Sequence, residues 1–212
     1  MRPPRISLLS PVAVAAAAFA TAAPGPAGAL TTVQFESPHV HPVEMSPDGT
    51  RLFVVHTAGH ELAVFDLTAP SGPVRLRGIP VGYEPVTVRA RTDDEVWVVS
   101  HVSDAVNVVD VSDGNVVRTL LPGDEPTDVV FAEGAGRAFV AVSQEDRLAS
   151  YDLGDLTLAP ASIALDHSDP RSLALSPDGS TLYVCALDSQ NETTAVPFET
   201  VQSNGGLPAP SP

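Results

Sequence analysis

The stretch Ser46-Pro47-Asp48-Gly49-Thr50-Arg51-Leu52-Phe53-Val54-Val55 joins a tight turn to an aromatic residue and a short apolar run. It returns near the end of the chain as Ser176-Pro177-Asp178-Gly179-Ser180-Thr181-Leu182-Tyr183-Val184-Cys185. Two segments between them, 92–99 and 133–141, also place a turn before an aromatic residue. The four aromatic residues lie 44, 42 and 44 positions apart, and they are Phe53, Trp97, Phe139 and Tyr183. The chain is therefore an internal repeat with a period of about 43 residues.

Two further markers keep the same period. Thirteen residues after each of the first three aromatic residues, an apolar strand ends in an aspartate, at Asp66, Asp110 and Asp152. The fourth segment has Val196 at this place. An acidic residue followed by proline opens a strand in three segments, as Glu84-Pro85, Glu125-Pro126 and Asp169-Pro170; the first segment offers His39-Val40 or His41-Pro42 there.

Short strands between turn signals at this period predict blades of four antiparallel strands, and hence an all-β propeller of about four blades. In the second segment, strands are predicted near residues 86–91, 95–100, 105–111 and 115–121. The Ser-Pro-Asp-Gly turns are expected to join the first two strands of a blade, with glycine supplying a positive φ. The aspartates that end the third strands are expected to cap the next turn. Cys185, in an apolar strand, is expected to be a buried, unreactive thiol.

The chain divides into three parts. The basic start Met1-Arg2-Pro3-Pro4-Arg5 and the apolar run 6–20 predict a secretion signal over residues 1–29, and therefore export to the periplasm, the cell surface or the medium. No second apolar stretch is long enough to cross a bilayer. The repeats occupy residues 30–197, with blades near 37–82, 83–124, 125–168 and 169–197, and a tail rich in proline and glycine follows at 198–212.

The repeat resembles the YVTN family of β-propeller repeats over residues 37–197. The resemblance is strongest in Phe53-Val54-Val55-His56 and Trp97-Val98-Val99-Ser100, each followed by a strand that ends in aspartate. The asparagine that usually ends the family's signature is missing from every copy. The resemblance implies a propeller of the kind found in bacterial secreted and surface proteins. It implies no single activity, because propellers serve as lyases, lactonases, dehydrogenases and plain scaffolds.

Propellers of this kind commonly have more than four blades, so an incomplete arc of a larger ring is the favoured interpretation. Two alternatives stay open. Two copies of the chain would complete one ring as a homodimer, or the segment 30–35 would supply the missing strand of the last blade and close a four-bladed ring. An open arc leaves an unpaired strand edge and an exposed blade face, and both favour pairing with another chain.

Charge limits the partners. The formal net charge is −15, and all eleven basic residues are arginine. Nucleic acids and anionic membrane surfaces need basic patches, so neither is an expected partner. The expected partner is a protein or small-molecule ligand, and the expected function is a non-catalytic binding or scaffold module. No catalytic residue is predicted, because the chain has no Cys-x-x-Cys-His, Gly-x-Ser-x-Gly, P-loop or His-Glu-x-x-His motif.

The candidate ligand-binding residues are those that precede the inner strands. Four of them occupy equivalent places around one mouth of the predicted channel, and the set, with His41 added, is His39, His41, Glu84, Glu125 and Asp169. Oxygen ligands that converge there would suit Ca²⁺. This site supports the alternative function, a metal-assisted lactonase-like hydrolase or a fragment of a larger propeller enzyme. The competing interpretation is a solvated polar turn at each strand start. Glu44 and Arg89 align on neighbouring inner strands, which predicts a charge pair between blades.

Overall fold

The computed structural model describes residues 37–188. The predicted secretion signal at 1–29, the possible closing strand at 30–35, the end of the fourth blade and the tail at 198–212 lie outside these residues. Among the described residues, no helix has the length and apolar character needed to cross a membrane.

The strands form three four-stranded antiparallel sheets and one pair. Blade I contains β1 (Val43–Met45), β2 (Arg51–His56), β3 (Glu61–Asp66) and β4 (Val74–Pro80). Blade II contains β5 (Pro85–Ala90), β6 (Glu95–Ser100), β7 (Ala105–Asp110) and β8 (Asn115–Leu120). Blade III contains β9 (Pro126–Ala132), β10 (Arg137–Val142), β11 (Arg147–Asp152) and β12 (Ala161–Ala164), and the described part of blade IV contains β13 (Ser168–Leu175) and β14 (Leu182–Asp188). Strands follow one another in chain order, so each blade is a meander, and the predicted β-propeller architecture is confirmed.

The strands of blade II begin and end within one residue of the predicted bounds. The alternation of apolar residues explains the agreement, since in β6 Trp97 and Val99 point to one face and Val96 and Val98 to the other. All four are fully buried because blade II has a neighbour on each side. A strand that is apolar on both faces is typical of a sheet in the middle of a stack.

The aspartate of each Ser-Pro-Asp-Gly turn organises the hairpin between the first two strands. Asp48 Oδ1 accepts hydrogen bonds from Ser46 Oγ at 2.6 Å and from the Thr50 N–H at 2.9 Å. Gly49 then adopts a φ of +71°, a conformation that side chains disfavour. Asp178 is bonded in the same way to Ser176 and Ser180. These bonds stabilise the ionised carboxylate and lower the pKa of Asp48 and of Asp178 to about 2, the serine hydroxyl having the largest effect.

The carboxyl groups of Asp48 and Asp178 should therefore titrate independently of each other. Ser46→Ala is expected to raise the pKa of Asp48 toward 3.8 and to leave Asp178 at about 2, and Ser176→Ala is expected to do the reverse. Carboxyl carbon shifts followed by NMR against pH measure both groups. Because the folded pKa is lowered, the carboxylates stabilise the wild-type fold above pH 4, and this contribution is lost as the pH falls toward 2. Equal shifts of both carboxyls in either variant would contradict the assignment.

The aspartates that end the third strands cap the following turn, as predicted. Asp66 Oδ1 accepts the Thr68 N–H at 2.8 Å, Asp110 Oδ1 accepts the Ser112 N–H at 2.9 Å, and Asp152 Oδ1 accepts the Gly154 N–H at 2.8 Å. The hydroxyl groups of Thr68 and Ser112 bond to the same carboxylates and lower the pKa of Asp66 and Asp110. The repeat of this aspartate is therefore a repeat of one turn structure.

Neighbouring blades pack through the face that carries the repeated aromatic residue of the second strand. Phe53 lies in one apolar cluster with Val88 and Val98 of blade II. Trp97 packs edge-on against Phe131 of blade III, with ring centroids 5.2 Å apart. Phe139 lies in a third cluster with Leu175 of blade IV. Each blade therefore places its aromatic residue on the inner strand of the next blade.

Blades I to IV form a series, and the face at each end of the series is exposed. Tyr183, the fourth aromatic residue, is 60% exposed, whereas Phe53 and Trp97 are fully buried. Cys185 on the same face is exposed, so the prediction of a buried thiol is wrong. The reason is that no described strand packs on this side of β14. At the other end, Val43 and Met45 of β1 are 47% and 57% exposed.

The phenol of Tyr151 is a local defect in the core between blades II and III. The residue is 3% exposed, and its hydroxyl has no hydrogen-bond partner among residues 37–188. Burial also raises the pKa of Tyr151 to about 12. Tyr151→Phe is expected to stabilise the protein by about 1 kcal/mol, because it removes a buried unpaired polar group. Urea denaturation measures the change, and Tyr183→Phe on the exposed face is the control with little expected effect. Destabilisation by Tyr151→Phe would mean that the hydroxyl is satisfied in solution.

Candidate functional site

The first strand of each blade is its inner strand, and in blades II, III and IV it begins with the same backbone conformation. The acidic residues Glu84, Glu125 and Asp169 all have a positive φ, of 49°, 53° and 55°. A proline follows each of them, and the pairing register then shifts by one residue, as in a β-bulge. The repeated acidic residue therefore marks a sharp bend in the chain at the start of each inner strand.

A second positive-φ residue on the preceding blade holds each bend. His60, Asp104 and Asp146 lie in the turns between second and third strands and have φ values of 53°, 53° and 48°. His60 Nδ1 accepts the Glu84 N–H at 3.2 Å, and Asp104 Oδ1 accepts the Glu125 N–H at 3.0 Å. Asp146 Oδ1 accepts the Asp169 N–H at 3.0 Å. These bonds join each blade to the next.

The acidic side chains of the predicted site have separate partners. Glu84 Oε2 accepts bonds from the Ser37 N–H and hydroxyl, which lower the pKa of Glu84. Glu125 Oε2 accepts a bond from Gln144 Nε2 at 3.0 Å, and Asp169 Oδ1 accepts one from Ser143 Oγ at 3.2 Å. Within residues 37–188, no three histidine, cysteine, aspartate or glutamate side chains come together in a geometry suited to a metal ion. The structure therefore places these carboxylates in three different junctions between blades.

The histidines are also distributed over the junctions. His39 Nε2 lies 2.5 Å from Thr57 Oγ1, which itself donates to the Pro85 carbonyl, so the histidine donates to the hydroxyl. His101 Nδ1 donates to the Pro126 carbonyl at 3.1 Å, and its Nε2 lies 3.6 Å from the Glu125 carboxylate. His60 stacks edge-on with Tyr83 at 4.8 Å.

A charged network joins the inner strands of the four blades. Arg89 forms a bidentate pair with Asp128 of blade III, with distances of 3.1 Å from Nε to Oδ1 and 2.9 Å from Nη2 to Oδ2. The expected contact between Arg89 and Glu44 is present but longer, at 3.9 Å. His41 connects the two, since its Nε2 contacts the Glu44 carboxylate and lies 3.3 Å from Arg89 Nη1.

Asp128 is the residue that sequence reasoning missed. Its side chain is fully buried, and its carboxylate also accepts the N–H groups of Val129 at 2.8 Å and Leu173 at 2.9 Å. Its only signal in the sequence is an aspartate inside the apolar strand Pro126–Ala132. A buried charge requires a paired partner, so this position pointed to an arginine on a neighbouring strand.

An open cleft lies beside this network and forms the second part of the site. It has a volume of about 440 Å³ and is lined by segments from both ends of the series, namely Pro38, His39, Val40, Arg171, Ser172 and Leu187, which we call the arc cleft. Arg171 has no ion-pair partner among residues 37–188, whereas Arg51, Arg89 and Arg147 each have one. The lining of the arc cleft thus combines an arginine with hydroxyl, imidazole and apolar groups.

No family model matches this chain, and no curated protein matches its sequence. Among solved structures, the chain is similar to the hydrazine synthase of Kuenenia stuttgartiensis, with a TM-score of 0.62 and 25% identity over 75% of this chain and 46% of that one. It also resembles a putative 6-phosphogluconolactonase from Bacteroides uniformis (TM-score 0.56, 17% identity, 71% of this chain and 48% of that one). Virginiamycin B lyase from Staphylococcus aureus is similar as well (TM-score 0.56, 12% identity, 69% of this chain and 48% of that one).

These likenesses support the propeller fold. The chain spans slightly less than half the length of the structures that it matches. Proteins with different names share this architecture, so the fold by itself assigns no activity to this chain.

The ion pair between Arg89 and Asp128 should stabilise the protein strongly only when both residues are present. Arg89→Ala is expected to destabilise the protein by about 3–5 kcal/mol, because it leaves the buried carboxylate without its counter-ion. Arg91→Ala is the matched control, since Arg91 has the same 22% side-chain exposure but pairs with the more exposed Glu133 and Glu95. Its expected cost is about 0–1 kcal/mol. Denaturant unfolding of both variants measures the difference, and equal costs would contradict the assigned role of Asp128.

Proposed function

We propose that this protein is an exported, non-catalytic binding module that holds a small anionic ligand in the arc cleft. The observation that carries the proposal is the position of Arg171, which lines the cleft with no ion-pair partner among the described residues. A guanidinium binds carboxylates and phosphates through paired hydrogen bonds. Ser172 and His39 add hydrogen-bonding groups, and Val40 and Leu187 supply an apolar wall.

The charge of the whole chain favours specificity at this site. With a formal net charge of −15, the surface repels anions in general, so an anion binds only where an arginine is locally exposed. Export is part of the proposal and is supported by the residues at 1–29, whose layout is that of a secretion signal.

Calorimetric titration with citrate, gluconate and inorganic phosphate tests the proposal. At least one of these probes is expected to bind, and Arg171→Ala is expected to weaken it about tenfold or more, the equivalent of one charge-assisted hydrogen bond. Arg137→Ala is the matched control, because Arg137 also has no ion-pair partner among residues 37–188 but lies on β10, away from the cleft. Equal losses in both variants, or no binding by any probe, would refute the proposed site.

The second candidate function is a metal-assisted lactonase-like hydrolase that uses Glu84, Glu125 and Asp169. Two observations favour it: the similarity to the putative 6-phosphogluconolactonase, and the distance of 3.6 Å between His101 Nε2 and the Glu125 carboxylate. This function requires the three carboxylates to leave their junctions and converge on a cation. A rise in melting temperature with Ca²⁺ that a chelator reverses and Glu125→Gln abolishes, together with lactone hydrolysis, would favour the hydrolase over the binding module.

A further inference from the structure

One end of blade II exposes apolar side chains at its connections and turn. Strand β5 begins at this end, β6 ends there and β7 begins there, because Pro85 pairs with Ser100 and Ser100 pairs with Ala105. Strand β8 also ends there, since Leu120 pairs with Val106. Three large, well-exposed apolar side chains lie in the segments that join these strands, and we call them the blade II patch: Tyr83 (63% exposed), Val102 (55%) and Leu121 (72%).

Two members of the blade II patch do not follow the repeat. The residue before the acid–proline pair is Tyr83 in blade II, whereas blades III and IV have Asp124 and Ser168 there. Five residues after the repeated aromatic residue, blade II has Val102, whereas blades I and III have alanine and glutamine. Positions that keep the period build the blades. Exposed apolar residues that break the period in loops are therefore candidates for binding.

A buried amide side chain holds the backbone next to Tyr83. Asn107 is 6% exposed on β7, at a position where blades I and III have alanine, and its Oδ1 accepts the Gly82 N–H at 2.9 Å. The Tyr83 N–H donates to Ser103 Oγ at 2.5 Å. A Cβ atom on Gly82 would lie 2.7 Å from the Ser100 Cβ, so glycine permits this close approach. The exposed ring is thus presented from a backbone that is already ordered before binding.

The segments around the blade II patch are acidic. Residues 81–84, 101–104 and 121–125 contain no arginine or lysine, and their acidic residues are Glu84, Asp104, Asp124 and Glu125. Arg147 contacts these segments, since its Nη2 donates to the Pro122 carbonyl at 2.6 Å, but its Nε pairs with the Glu145 carboxylate at 2.5 Å. An exposed tyrosine ring beside carboxylates attracts a cationic side chain, through the ring quadrupole and through charge complementarity.

We infer that the blade II patch docks a partner protein that presents an arginine or lysine side chain beside an apolar one. The cation lies on the ring of Tyr83, and the apolar side chain contacts Val102 and Leu121. Tyrosine suits this role because it is enriched at protein–protein interfaces. The patch shares no residue with the lining of the arc cleft, so docking does not depend on an anion there.

The parts of this chain outside residues 37–188 do not have the chemistry that the blade II patch selects. Their only basic residues are Arg2 and Arg5, and both lie in the predicted secretion signal. Residues 30–36 and 189–212 contain no basic residue and would add acidic side chains to an acidic surface. Charge complementarity therefore favours a separate, cationic partner over these segments.

Titration of the full chain with a blocked tripeptide of arginine, leucine and arginine, followed by NMR, is the first test. Amide shifts are expected at residues 82–84, 102–104 and 121–125. The acidic turns around Asp48 and Asp110 are the internal control and should not shift. Shifts spread evenly over all acidic turns would overturn the inference, because they would show attraction by net charge alone. A tripeptide of glutamate, leucine and glutamate is expected not to bind, and equal binding would overturn the cationic partner.

Variants test the role of the ring and of the amide that positions it. Tyr83→Ala is expected to raise the Kd of the arginine tripeptide about fivefold, the equivalent of one exposed cation–π contact. Tyr183→Ala is the matched control, because Tyr183 is 60% exposed on another blade, and equal losses in both variants would overturn the inference. Asn107→Ala is expected to weaken binding without loss of the fold, and an unchanged Kd would overturn the positioning role of Asn107.

Nuclear Overhauser contacts of the Tyr83 ring test the choice of partner directly. In the full chain with the arginine tripeptide, contacts are expected from the ring to the arginine methylene groups. Contacts from the ring to residues 1–36 or 189–212 in the chain alone would overturn the inference in favour of a surface that the chain itself covers.

Discussion

Trp97 against Phe131 is one instance of the contact on which the rest of the structure depends. A four-stranded blade is apolar on both faces, so it is stable only when another blade covers each side. The same contact rule repeats along the series, with an aromatic residue of one blade seated on the inner strand of the next. The exposed Tyr183 and Met45 at the two ends show where the rule has no partner among the described residues.

The packing of the blades positions the polar groups at the junctions between them. Once the inner strands are side by side, the partly exposed Arg89 pairs with the buried carboxylate of Asp128, and their attraction counters the cost of removing that carboxylate from water. The positive-φ acidic residues work in the same way. Their backbone N–H groups are bonded by the preceding blade, which ties the sharp start of each inner strand to its neighbour. Residues that resemble a metal-binding set in the sequence are therefore engaged in the junctions between blades.

The arc cleft differs from the rest of the inner surface because Arg171, which lines it, has no ion-pair partner among residues 37–188. Arg89 is neutralised by Asp128, whereas Arg171 lies where blade IV faces the segment at 38–40. The position of Arg171 in a cleft of an acidic protein is the basis of the proposed selective binding of an anion.

The sequence by itself determined the strands, their order and the turns, because the two-residue alternation of apolar side chains, the Ser-Pro-Asp-Gly turns and the capping aspartates are local features that need no distant partner. It also predicted the charge pair between Glu44 and Arg89 on neighbouring inner strands, which the structure has at 3.9 Å. Only the tertiary structure showed that Asp128 is the principal partner of Arg89, that Glu84, Glu125 and Asp169 bond to separate partners, and that Cys185 is exposed. These outcomes depend on which blade faces which side chain, and a repeat pattern is the same for a blade inside the series and for a blade at its end.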